Sequence, residues 1–137
     1  MNILIAEDDY TSRLLLYQIL KEFGTVKLAV DGREAVEAFR MAIGFKDFFN
    51  LVFLDIMMPD LDGQSALKEM RQLENKLYVR AESKAKIIML TAHADQDNVI
   101  RAAQNECDGF LVKPIDKGRL IKTMKDMGLL KDDEADE

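Results

Sequence analysis

Short apolar runs alternate with longer amphipathic ones along this chain. Ile3-Leu4-Ile5-Ala6 is apolar throughout, the pattern of a strand buried on both faces. Residues 10–23 then place Leu14, Leu15, Ile19, Leu20 and Phe23 at helical spacing, and Gly24 marks the stop. A weaker strand over 26–30 leads to Asp31-Gly32, which caps a helix carrying Ala35, Val36, Phe39 and Ile43. Leu51-Val52-Phe53-Leu54 is a third, uniformly apolar strand. Asp62 is an N-cap for a helix through Ala66, Leu67, Met70 and Leu73, with Leu77 as its outer limit. Ile87-Ile88-Met89-Leu90 is the fourth strand, and a helix with Val99, Ile100, Ala103 and Ala102 follows. Phe110-Leu111-Val112 is the fifth strand, and Asp116 caps a final helix through Leu120, Ile121 and Met124.

Five strands alternating with five helices predict an α/β fold, with a parallel sheet joined by right-handed crossovers. A chain of 137 residues suits one domain, expected over 1–130, without metals or disulfides as staples. The charge run 131–137 predicts a flexible, solvated acidic tail. A net charge of −6 argues against nucleic acid and anionic membranes as partners. The single cysteine, Cys107, excludes an internal disulfide and fits a reducing compartment; it reads as a packing residue or passive thiol. The opening apolar run is too short for a secretory signal or a membrane span, so a soluble cytoplasmic protein is expected.

Four strands end in polar residues that a buried strand has no packing reason to carry: Glu7-Asp8-Asp9, Asp55, Thr91 and Lys113. In open α/β sheets, ligands bind outside the carboxyl ends of the strands, so these groups are predicted to share one rim. Clustered carboxylates repel one another, and a divalent cation removes the conflict. Mg²⁺ suits oxygen ligands, keeps several waters and accepts phosphate oxygens. Asp8 and Asp55 are the candidate direct ligands, with Glu7 acting through water and the backbone carbonyl of Met57 as a further donor. The Lys113 ammonium and the Thr91 hydroxyl would cover two more phosphoryl oxygens, leaving Asp55 as the nucleophile that becomes an aspartyl-phosphate.

The strings Ile5-Ala6-Glu7-Asp8-Asp9, Leu54-Asp55-Ile56-Met57-Met58-Pro59-Asp60-Leu61-Asp62-Gly63, Leu90-Thr91-Ala92 and Phe110-Leu111-Val112-Lys113-Pro114 resemble the receiver domain of two-component response regulators, over about the whole chain. The resemblance implies a flavodoxin-like strand order 2-1-3-4-5 and Mg²⁺-dependent transfer to Asp55 from a sensor histidine kinase or histidine phosphotransfer protein, with Mn²⁺ as a possible substitute. It maps the acidic pair onto Glu7 and Asp8, the hydroxyl onto Thr91, the lysine onto Lys113 and the aromatic switch onto Phe110, for which plain core packing is the competing reading. It further implies that Met57 and His93 flank the phosphoryl group and tune its hydrolysis, that Lys113-Pro114 is cis, and that the output face is helix 4, strand 5 and helix 5.

The expected protein is therefore a stand-alone, chemotaxis-type receiver that signals by binding other proteins, and an enzyme only toward its own phosphorylation and slow dephosphorylation. Two alternatives stand beside it. A magnesium-dependent aspartyl phosphatase of haloacid-dehalogenase-like type would place a general acid two residues after the nucleophile, where this chain has Met57. An unphosphorylated receiver-like binding module would be expected to lack one of the acids, the threonine or the lysine. Two stretches stay open. Residues 44–50 are rich in phenylalanine, which suggests core contact first and a docking patch second. Residues 74–85 are long for the resemblance, either a lengthened third helix or a specificity loop.

Overall fold

A computed structural model describes residues 1–92 and 96–131. Its order is β1 (Asn2–Ala6), α1 (Tyr10–Leu20), β2 (Thr25–Ala29), α2 (Gly32–Gly44), β3 (Leu51–Asp55), α3 (Gly63–Lys76), a 3₁₀ turn (Ala81–Ser83), β4 (Lys86–Thr91), α4 (Gln96–Gln104), β5 (Gly109–Val112) and α5 (Lys117–Asp126). All four strand pairings are parallel and the sheet order is β2-β1-β3-β4-β5, the predicted flavodoxin-like arrangement. Among the described residues, no helix is long and apolar enough to cross a membrane. The tail residues 132–137 and His93 lie outside the described residues.

The apolar strands look uniform because alternate residues serve two cores. Leu4, Val52, Leu54, Ile87 and Met89 pack with Val36, Phe39, Leu67 and Met70 of α2 and α3. Ile3, Ile5, Phe53, Ile88 and Leu90 pack on the other face with Leu16, Ile19 and Leu20 of α1 and Leu120, Ile121 and Met124 of α5. Side chains of neighbouring strand residues point to opposite faces, so a strand covered on both sides must be apolar at every position. Each such Leu, Ile or Phe contributes roughly 1.5–3 kcal/mol by leaving water.

The predicted caps hold. Asp31, Asp62 and Asp116 each accept a backbone N–H of the helix they precede, from Glu34, Ser65 and Gly118. Three expectations change. The first helix ends at Leu20 rather than Phe23, because Phe23 turns its N–H back to the Leu20 carbonyl. Its buried stripe is Leu16, Ile19 and Leu20, while Leu14 and Leu15 are exposed. On α4 only Ala102 is buried, and Val99, Ile100 and Ala103 face outward. In α1 apolar residues run round more than half the circumference, and in α4 Val99 and Ile100 lie at one side of the apolar arc and Ala102 at the other, so periodicity did not select the covered face.

Residues 74–85 are helical only at their start, so a lengthened third helix accounts for few of them. Glu74 to Lys76 belong to α3, and the remainder forms the α3–β4 connection. Glu74 is buried there, in a network on the edge of the sheet where the strands begin. Arg71 Nη1 donates to Glu74 Oε1 at 2.7 Å and to the Ala85 carbonyl at 2.9 Å. Its Nη2 donates to Asp108 Oδ2 at 2.8 Å and its Nε to the Glu106 carbonyl at 2.9 Å. The Ala85 N–H donates to the second Glu74 oxygen at 2.9 Å.

Candidate functional site

The register of the sheet brings the predicted groups to one rim. Glu7 follows β1, Asp55 ends the adjacent β3, Thr91 ends β4 one residue beyond the partner of Asp55, and Lys113 follows β5. Glu7, Asp55 and Thr91 are buried, Asp8 is exposed and Lys113 is partly buried. Glu7, Asp8 and Asp55 each offer a carboxylate oxygen within 4.8 Å of the others.

Lys113 spans the gap between strands. Its Nζ donates to Asp55 Oδ2 at 3.2 Å and forms an ion pair with Glu7 Oε1. The Lys113-Pro114 peptide is cis, as the resemblance implied, and the Lys113 N–H donates to the Thr91 carbonyl at 2.8 Å, tying the two strand ends together. The second oxygen of Asp55 accepts the Met57 N–H at 3.2 Å.

Two glycines let the β3–α3 loop close over this rim. A Cβ on Gly63 would stand 2.2 Å from the Asp55 carbonyl oxygen, and one on Gly32 would stand 1.9 Å from that of Leu61. No side chain fits either approach. The Gly63 N–H also donates to the Ile56 carbonyl at 3.0 Å, which pins the loop directly after Asp55.

Charge at the rim is unbalanced. Among the described residues, three carboxylates meet the one ammonium of Lys113. Neither Glu7 oxygen has a well-formed hydrogen bond, although the residue has no exposed surface. Burial pushes the Glu7 carboxyl up to about 7, with the neighbouring Asp55 carboxylate adding to the rise and Lys113 opposing it. Burial lowers the Lys113 ammonium, but its contacts with Glu7 and Asp55 outweigh that and hold its pKa above the ordinary value. A buried carboxylate pair beside an exposed third acid fits the oxygen-ligand preference of a small divalent cation.

Other predicted residues fall as follows. Met57 lies beside Asp55 with its side chain 76% exposed, free to meet a bound group or solvent. Phe110 is half-buried on β5 opposite Met89 and packs into the α2–α3 core, so the packing reading holds for the conformation seen. Cys107 is half-buried in the same core, and burial raises its thiol pKa, in keeping with a passive thiol. Asp9, grouped with the acids in the sequence, turns away to cap α1 by accepting the Ser12 N–H at 2.9 Å.

Two residues went unnoticed in the sequence. Arg13 Nη1 donates to the carbonyls of Glu7 at 2.8 Å and Asp8 at 3.3 Å, fixing the acidic loop from below. Gln64, buried at the start of α3, donates to the Asn98 carbonyl of α4 at 3.0 Å. An arginine or glutamine in the first turn of a helix is ordinarily a solvated residue, so composition offered no signal for either.

An open parallel sheet with acids, a hydroxyl and an amine gathered at its carboxyl rim defines a doubly wound α/β protein of the flavodoxin-like, CheY type. The chain belongs to the response regulator receiver domain family, whose pattern matches residues 3–125, and is thus a receiver domain of two-component signalling. The chemotaxis protein CheY of Bacillus subtilis is 34% identical over 124 residues, covering 89% of this chain and 92% of that protein. Probable histidine kinase 2 of Oryza sativa is 30% identical over 134 residues, which is 90% of this chain and 12% of the kinase. The solved complex of CheX with CheY, BeF3 and Mg²⁺ from Borrelia burgdorferi matches with a TM-score of 0.81 at 25% identity, covering 95% of this chain and 90% of that one. A CheY-like receiver domain protein from Methanospirillum hungatei matches at 0.76 and 27%, covering 92% and 91%.

Proposed function

We propose that this receiver is a cytoplasmic phosphorylation switch whose acceptor is Asp55. The observation that carries the reading is the position of that carboxylate, 3.2 Å from the Lys113 ammonium and clustered with Glu7 and Asp8. A carboxylate oxygen of Asp55 attacks the phosphorus of a phosphohistidine on a sensor kinase or phosphotransfer protein. The O–P bond forms as the P–N bond breaks, and the imidazole leaves with the electron pair.

A Mg²⁺ ion here would be held by Asp8, Asp55, the Met57 carbonyl and, through water, Glu7, and would offset charge on the phosphoryl oxygens. Mn²⁺ has the same oxygen preference and would substitute. The Borrelia CheY structure, which carries Mg²⁺ and BeF3, supports this expectation. Lys113 already faces Asp55 and gives a second oxygen a fixed cation. The Thr91 hydroxyl donates to a third. Drawing Thr91 inward opens space beside β5 for Phe110, and the face made by α4, β5 and α5 repacks for a downstream protein. The exposed side chain of Met57 stands beside the phosphoryl group and sets how readily water reaches it. The protein acts as an enzyme only on itself, in acquiring and slowly losing this group.

Incubation with Mg²⁺ and a small acyl phosphate, followed by intact mass and peptide mapping, tests the reading. One phosphoryl group is expected on Asp55, and none there in Asp55→Asn. Label on another residue, or labelling that ignores the substitution, would overturn it.

A further inference from the structure

Two stretches that the phosphoryl site does not use meet on the opposite edge of the sheet. The phenylalanine-rich connection 44–50 and the α3–β4 connection enter β3 and β4 at their first residues, roughly 15 Å from Asp55 along a five-residue strand. Between them lies an open cleft of about 360 Å³ with Ile43, Phe48 and Val79 among its lining and Lys46 and Arg80 at its sides.

Beside this cleft the chain exposes more apolar surface than folding requires. Leu77 is half exposed and Tyr78 is 90% exposed. Tyr78 and Lys46 also hold left-handed backbone conformations, with φ of 55 and 56°. Glycine adopts that conformation without steric cost, yet both positions carry long side chains that reach the cleft. The charge is equally unusual. Lys76, Arg80, Lys84 and Lys86 stand against the single Glu82 in that stretch, in a chain whose net charge is −6. Among the described residues, neither Lys46 nor Arg80 has a carboxylate within ion-pair distance.

We infer that this cleft is a second docking site, for an acidic segment of a partner protein that carries leucine or phenylalanine among its acids. Apolar side chains of that segment enter over Ile43, Phe48 and Val79, while its carboxylates meet Lys46 and Arg80, the latter able to hold one bidentately. The basic rim on an otherwise acidic protein selects an acidic partner and repels a basic one. Because the cleft and the phosphoryl site occupy opposite edges, both can be filled at once.

The test uses the full chain, labelled with ¹⁵N, and an eight-residue peptide of alternating leucine and aspartate as probe. Resonances of residues 43–48 and 77–83 are expected to shift while those of Glu7, Asp55 and Lys113 stay in place. The double charge reversal Lys46→Glu with Arg80→Glu should weaken binding by at least about tenfold, and Tyr78→Ser should weaken it independently. Phosphorylation of Asp55 should be unchanged in all of these variants. Equal affinity for a peptide with lysine in place of aspartate, or unchanged affinity in the charge-reversed protein, would overturn the inference. So would either of two other occupants. Self-association in sedimentation that Arg80→Glu abolishes would make it a second copy of the chain. A tenfold gain in peptide affinity when the five acids within 132–137 become amides would make it the chain's own tail.

Discussion

The two edges of the sheet each bury a glutamate, and they treat it in opposite ways. At the edge where the strands begin, Glu74 receives Arg71 on one oxygen and the Ala85 N–H on the other, and Arg71 in turn spends its remaining donors on Asp108 and two carbonyls. At the carboxyl rim, Glu7 is equally buried but lacks well-formed hydrogen bonds and shares one ammonium with a second carboxylate. The first arrangement is self-sufficient, because buried charge is stable only when paired and hydrogen-bonded. The second leaves two buried carboxylates against a single ammonium. The same residue type is thus fully paired at one edge and left with surplus negative charge at the other, and the difference lies in whether the protein supplies the partner.

Removing the partner at the self-sufficient edge gives the largest effect. Arg71→Ala takes the counter-ion from Glu74 and Asp108, leaving each a single backbone N–H, and denaturant unfolding should show a loss of about 3–5 kcal/mol. The matching change at the rim has the opposite sign. Glu7→Gln removes one of the repelling charges, so the metal-free protein should gain about 1 kcal/mol. Its pH dependence follows from the same shift. The folded value of Glu7, about 7, lies above its ordinary 4.5, so the folded chain keeps a proton that the unfolded chain releases between them. The contribution is fully present below pH 4.5 and is lost as pH rises through 7. The stability difference between wild type and Glu7→Gln, followed by thermal melts, should therefore widen across that window. A smaller effect is expected at Glu106, held at φ 66 beside the Arg71 network. Glu106→Gly should stabilise by about 0.5–1 kcal/mol in denaturant unfolding.

The strands and caps were legible because they depend on local chemistry. Uniform apolar runs of about four residues bounded by turn signals suit covered strands better than helices, and an aspartate before an amphipathic run has one common structural use. The carboxyl rim was legible for a topological reason, since consecutive parallel strands point the same way and their ends must share an edge. What escaped depends on contacts far apart in sequence. The face of α4 is chosen by the sheet beneath it, so Ala102 rather than Val99 or Ile100 is buried. Arg71 and Asp108 are 37 residues apart, and nothing local distinguishes them from solvated charges. Three helix ends also lacked their usual sign. Lys46, Tyr78 and Glu106 occupy the left-handed position that Gly128 fills after α5.

The claim that the carboxyl rim is built for a cation is tested most directly by titrating Mg²⁺ into the protein and following its thermal midpoint. Wild type should rise along a single-site curve, gaining about 2.7 kcal/mol at a hundredfold excess over the dissociation constant, while Asp8→Asn and Asp55→Asn should lose most of that rise. A midpoint that climbs equally in all three proteins would contradict it.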